Sequence, residues 1–160
     1  MPQSKKVLIV EDEEVLAENL QHYFQRRGWD AQIANTGKSA VDAAKKFRPG
    51  MILLDYRLPD MTGFEALETI RPGHCCSCVL MTGHPDHLVL AGAKQHRIAH
   101  ILSKPFALAG LESKLRTAAA EFCGKCFEDG RRPDRPECGG FAPISGPEKS
   151  GNFPKLASPV

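Results

Sequence analysis

Two short apolar runs that each stop on acid constrain this chain more than anything else in it: Val7-Leu8-Ile9-Val10 runs into Glu11-Asp12, and Met51-Ile52-Leu53-Leu54 runs into Asp55. Apolar runs this short, without alternation, are the pattern of strands buried on both faces, and such strands belong to parallel sheets covered by helices. Neighbouring parallel strands end on the same edge. With these two runs as neighbours, Glu11, Asp12 and Asp55 converge there and repel one another, an arrangement suited to a hard divalent cation such as Mg2+.

The segments between the runs fit that sheet. Glu13 to Arg27 repeats Val15, Leu16, Leu20, Tyr23 and Phe24 at helical spacing and meets a stop at Gly28. Ala31 to Ala34 reads as a second strand, and Thr36 to Phe47 as a second helix with Ala40, Val41, Ala44 and Phe47 on one face, broken by Pro49-Gly50. After the strand Met51 to Leu54, the loop Tyr56 to Gly63 has turn chemistry in Pro59-Asp60 and Gly63, and Phe64 to Ile70 resumes helical spacing. Cys78 to Met81, leading into Thr82-Gly83, and Ile98 to Leu102, leading into Lys104-Pro105, read as the fourth and fifth strands around a helix over Pro85 to His96. Ala107 to Phe122 places Leu108, Leu111, Leu115, Ala118 and Phe122 on one stripe of a last helix. The alternation predicts an α/β fold, a doubly wound five-stranded parallel sheet with right-handed crossovers. Ligands of such folds bind beyond the carboxyl ends of the strands, where the acids lie. From Cys123 to Val160, Gly, Pro, Ser and charge replace all periodicity, and this stretch reads as a disordered tail.

The 160 residues suffice for one domain, over 5–122, and that appendage. Lysine and arginine (21) nearly balance aspartate and glutamate (19), which supplies no basic stripe, so direct nucleic-acid binding is not expected. The N-terminal apolar run is too short for a signal peptide or a membrane span, and a cytoplasmic protein is expected. Cysteines cluster locally as Cys75, Cys76, Cys78 and Cys123, Cys126, Cys138, unlike a secreted disulfide framework. Cys78 reads as a small hydrophobe opening a buried strand rather than a soft-metal ligand, and the tail cysteines make three ligands where structural zinc takes four. His22, His74, His84, His87, His96 and His100 read as surface or loop residues, with His84 alone near the acidic edge.

On these residues the chain, from about Lys5 to Phe122, resembles the receiver domain of two-component response regulators, whose fold is flavodoxin-like (CheY-like), (βα)5. Glu11-Asp12 match its acidic pair, and Asp55, in the run Leu53 to Gly63, its phosphoacceptor. Thr82 matches its switch hydroxyl and Lys104, before Pro105-Phe106, its lysine. Singly these residues have plainer readings: acid at a helix N-terminus, a loop aspartate, a turn hydroxyl, a solvated lysine. Together, and in order, they are specific. The resemblance implies Mg2+ held by Asp12, Asp55, the main-chain carbonyl of Arg57 and, through water, Glu11. It implies transfer of a phosphoryl group to Asp55 from a sensor histidine kinase or phosphotransfer protein, with Lys104 and Thr82 contacting the phosphoryl oxygens and a cis Lys104–Pro105 bond. The expected output is a change in protein contacts on the face made by the fourth helix, fifth strand and fifth helix, where pairing of two copies is also compatible. The resemblance implies a phosphoacceptor, not an enzyme with an external substrate. Helical periodicity for a DNA-binding module is lacking after the receiver, which points to a stand-alone receiver or to a piece of a longer protein. One departure is Ile101, three residues before the lysine, where the family usually carries an aromatic. The competing reading is a docking module that keeps the fold without phosphorylation; such modules typically lose the acids, the hydroxyl or the lysine, all present here.

Overall fold

Apolar runs of four or five residues are too short to bury a helical stripe, and each becomes a strand. The computed structural model describes residues 5–73, 76–98 and 100–117. In chain order the elements are β1 (Lys6–Val10), α1 (Glu14–Gln25), β2 (Asp30–Ala34), α2 (Gly37–Phe47), β3 (Met51–Asp55), α3 (Gly63–Ile70), a 3-10 turn (Arg71–Gly73), β4 (Ser77–Thr82), α4 (His87–Gln95), β5 (His100–Ser103) and α5, helical over 111–117. These strands pair in parallel, in the order β2-β1-β3-β4-β5. The chain steps outward from β1 to β2, then returns across β1 to β3. The switch point therefore lies between β1 and β3.

Alternate strand residues point to opposite faces and build two cores. Val7, Ile9, Leu53, Val79 and Met81 meet Leu20 and Phe24 of α1 and Leu111 and Leu115 of α5. Leu8, Val10, Ile52, Leu54 and Leu80 meet α2, α3 and α4 through Ala40, Ala44, Leu67, Val89 and Ala93. Helices on both faces are the doubly wound architecture expected.

Local signals explain the helix ends. Thr36 and Thr62 accept hydrogen bonds from the backbone N–H groups of Ser39 and Glu65, each within a reciprocal capping box, and Asp86 accepts from Val89. Gly28 closes the turn after α1 with φ +82°.

Several boundaries differ from expectation. β5 starts at His100, not Ile98: Arg97 turns the chain with φ +53°, and the Ile98 N–H bonds back to the Ala93 carbonyl oxygen. Ile98 is apolar because it is buried beneath that turn, not because it is strand. α4 starts two residues later than expected because Asp86 caps it. α5 starts at 111 rather than 107, since Gly110 at φ +77° breaks any earlier helix. Not all the histidines are loop or surface groups: His100 sits half-buried in β5, and His96 is packed between α3 and α4. Cys76 is buried as well as Cys78, whose thiol is pushed up to about 12 by burial. Both behave as core residues. The expected tail, residues 118–122 of the last helix, His74 and Cys75 lie outside the described residues. No helix among the described residues is long and apolar enough to cross a membrane.

Candidate functional site

The strand register brings the acids together. Val10 pairs with Leu54, so one step further on Glu11 lies beside Asp55. Asp55 in turn pairs with Met81 on β4, and Thr82 with Ser103 on β5, so Thr82 and Lys104 reach the same edge. One carboxylate oxygen from each of Glu11, Asp12 and Asp55 lies within 4.8 Å of the others. Glu11, Asp55 and Thr82 are buried and Asp12 is exposed, which leaves the cluster open on one side.

Lys104 supplies the opposing charge. Its Nζ is 2.6 Å from Glu11 Oε2 and 3.2 Å from Asp55 Oδ2. The Lys104 N–H donates to the Thr82 carbonyl oxygen at 2.8 Å, which ties the lysine backbone to β4, and the Lys104–Pro105 peptide is cis. Burial raises the Glu11 carboxyl to about 7, with a further push from the Asp55 charge, while the Lys104 hydrogen bond pulls it back. Burial alone would lower the Lys104 ammonium, but Glu11 and Asp55 more than offset it and hold it above the usual lysine value.

The loop after β3 completes the edge. The Arg57 N–H donates to Asp55 Oδ1 at 3.3 Å. Arg57 and Thr62 form an isolated bridge flanked by bonds from Leu58 to Met61 and from Gly63 to Tyr56, so the polar backbone groups of Arg57 face away from Thr62. The hydroxyl oxygen of Thr82 accepts from the N–H of the exposed His84 at 3.1 Å. Ile101, at the departure from the family pattern, is half-buried against the core beneath α3 and α4.

The donor set is all oxygen, with two carboxylates buried and one open to solvent, and suits a hard divalent cation rather than a soft one. The arrangement joins a cation-sized acid cluster to an ammonium that already touches two of its carboxylates.

Supporting residues escaped the sequence reading. Asp60 accepts from the N–H groups of Gly37 and Lys38 at 2.8 and 2.9 Å, so the β3–α3 loop caps α2 from a distance, and those bonds hold its carboxyl below the usual range. The Met61 thioether lies over Gly37, and a side chain there would have to displace it. Gly63 is confined more rigidly, by backbone: a Cβ there would lie 2.5 Å from the Asp55 carbonyl oxygen. Asn35 Nδ2 donates to the Glu11 carbonyl oxygen at 3.1 Å. Pro59-Asp60 signalled a turn but not its partner, and the other contacts left no local signature.

Comparison with known proteins bears on this geometry. Residues 7–116 match the family model of the response regulator receiver domain. A probable transcriptional regulatory protein, TcrX of Mycobacterium tuberculosis, is 34% identical over 117 residues, covering 69% of this chain and 47% of that protein. The chain thus spans about half the length of this curated relative. A CheY-like receiver domain protein of Methanospirillum hungatei superposes with a TM-score of 0.70 at 23% identity, covering 77% of this chain and 99% of that one. The receiver domain of a sensor histidine kinase of Pseudomonas aeruginosa has a magnesium ion in its active-site cleft; it superposes with a TM-score of 0.64 at 25% identity, over 72% of this chain and 97% of that one.

Proposed function

Because the chain belongs to the response regulator receiver family, we propose that its domain, over 5–122, takes a phosphoryl group onto Asp55 from a sensor histidine kinase or phosphotransfer protein and reports it as altered protein contacts. The observation that carries this reading is Lys104 Nζ held between Glu11 and Asp55 at the mouth of the acid cluster. Asp55 is the nucleophile: its Oδ attacks phosphorus, the P–N bond of the donor phosphohistidine breaks, and the imidazole leaves with the electron pair. Asp12, Asp55, the Arg57 carbonyl and, through water, Glu11 would hold Mg2+. When bound, that ion offsets the charge of the incoming phosphoryl oxygens.

The chain's own residues supply the rest. Lys104 is held as an ammonium by the two carboxylates it touches and offers the same charge to a phosphoryl oxygen on Asp55. Thr82 is one strand away, and its hydroxyl can donate to that group while its backbone carries the pull into β4 and, through the Lys104 N–H, into the segment after β5. The output surface is then α4, β5 and α5, offered to a downstream protein or a second copy. The domain acts as a cytoplasmic phosphoacceptor rather than an enzyme with an external substrate.

The test is incubation with Mg2+ and acetyl phosphate, followed by intact mass, with Asp55→Asn as control. A phosphate-sized gain seen only in the native protein is expected. No gain, together with no Mg2+-dependent binding of beryllofluoride, would favour a docking module.

A further inference from the structure

Away from the acidic edge, the C-terminal end of α4 is fastened to α3 by a histidine. The ring of His96, which closes α4, lies on the ring of Phe64, with centroids 4.6 Å apart and planes 3° from parallel. Its Nδ1 is 2.8 Å from the Gly92 carbonyl oxygen, and its Nε2 is 2.7 Å from the Glu68 carboxylate. A backbone carbonyl and a carboxylate are both acceptors. A neutral imidazole carries one N–H and must turn a lone pair toward one of them; only the imidazolium donates to both.

Two further neighbours place negative potential against the ring. The ring sits at the carbonyl end of α4, where the helix dipole is negative, and it rests on the electron-rich face of Phe64. The stack fits because Gly92 has no side chain: a Cβ there would lie 2.4 Å from the Phe64 ring. The charged groups around it are Glu68 of α3, Arg71 of the 3-10 turn, whose guanidinium donates to the carbonyl oxygens of His96 and Arg97, and Lys94 and Arg97 of its own segment. Phe64 also meets Tyr56, the residue after Asp55, edge to face at 5.2 Å. Two rings, Phe64 and Tyr56, thus connect the clasp to the residue next to Asp55.

We propose that His96 is a proton-operated latch: its imidazolium form clasps the end of α4 to Glu68 of α3, and loss of the proton releases that clasp. This holds whether or not Asp55 is phosphorylated.

The experiment follows the His96 ring nitrogens by long-range 15N NMR in the full chain, between about pH 5 and 9. Hydrogen exchange at the His96 and Ile98 amides, which bond to Gly92 and Ala93, is measured in parallel and corrected for its intrinsic pH dependence. Two protonated ring nitrogens are expected at the acid end, with amide protection falling about threefold to fivefold as the ring loses its proton. Glu68→Ala, at an exposed helical position that accepts alanine, is expected to abolish that step and leave protection at the open level throughout. A singly protonated ring at the acid end overturns the proposal. So does a step of undiminished size in Glu68→Ala.

Discussion

β3 and β5 run parallel in one sheet, with β4 between them, and are held in opposite ways. All five residues of β3 are buried, whereas of the four in β5 only Leu102 is. Among the described residues, β3 has a partner on each side and β5 only one. The buried strand ends in Asp55, and the edge strand leads into Lys104. The acid is therefore fixed by the deepest part of the core, while its counter-ion arrives on a segment with little burial of its own. Local stability follows buried apolar contact, so the Lys104 side of the site can shift at less cost than the Asp55 side. Under the function proposed above, such a site would keep Asp55 in place and let the response to charge travel through the edge.

Truncation tests the contrast most severely. Leu53→Ala, in β3, is expected to cost about 2–5 kcal/mol, because a fully buried leucine leaves a cavity that its neighbours cannot fill. Ile101→Ala, half-buried in β5, is expected to cost only about 1 kcal/mol. Urea unfolding midpoints of the two variants decide the matter, and equal losses would remove the distinction between the strands.

A smaller effect comes from the ends of the strands. Gly63→Ala is expected to destabilise by about 1–3 kcal/mol, since its Cβ would press on the Asp55 backbone, which cannot swing aside as a side chain would. Gly83→Ala, just past Thr82, meets nothing within 4 Å and is expected to stay within about 0.5 kcal/mol of native. The pair asks whether the backbone is tight after β3 and roomy after β4. Thermal midpoints measured under one buffer condition answer it.

The same division governs what could be read in advance. β1 and β3 were legible because continuous apolar runs have one interpretation in a chain that alternates with helices, and the residues where those runs stop are the acids. The start of β5 was not, because Ile98 is apolar for a reason periodicity does not register: it fills the space under a left-handed turn at Arg97. Thr82 and Lys104 were recognisable by resemblance to a family, not by their own surroundings. Asp60 capping α2, Asn35 on the Glu11 carbonyl and the confinement of Gly63 depend on backbone positions set by distant segments. The charges of the candidate site carry a sequence signal, while the parts that hold them still mostly do not.

The smallest expected effect is one of pH, and it probes β5 alone. Burial disfavours the charged form of His100, and the Lys114 charge adds to this, so its pKa in the folded state lies below the ordinary 6.5. Above 6.5 the ring is neutral in both folded and unfolded chains, and its full contribution to stability is present. As pH falls below 6.5 the unfolded chain takes up a proton that the folded chain resists, and stability is lost until the folded-state pKa is passed. The difference in urea midpoint between the native protein and His100→Gln, which cannot titrate, is therefore expected to move against the native protein between about pH 7.5 and about pH 5. Hydrogen exchange at β5 amides should register the same loss before β3 does, since an edge strand opens without the rest of the sheet. A difference that stays constant with pH would mean that β5 admits water to His100 at no cost, and the edge would then be looser than its burial implies.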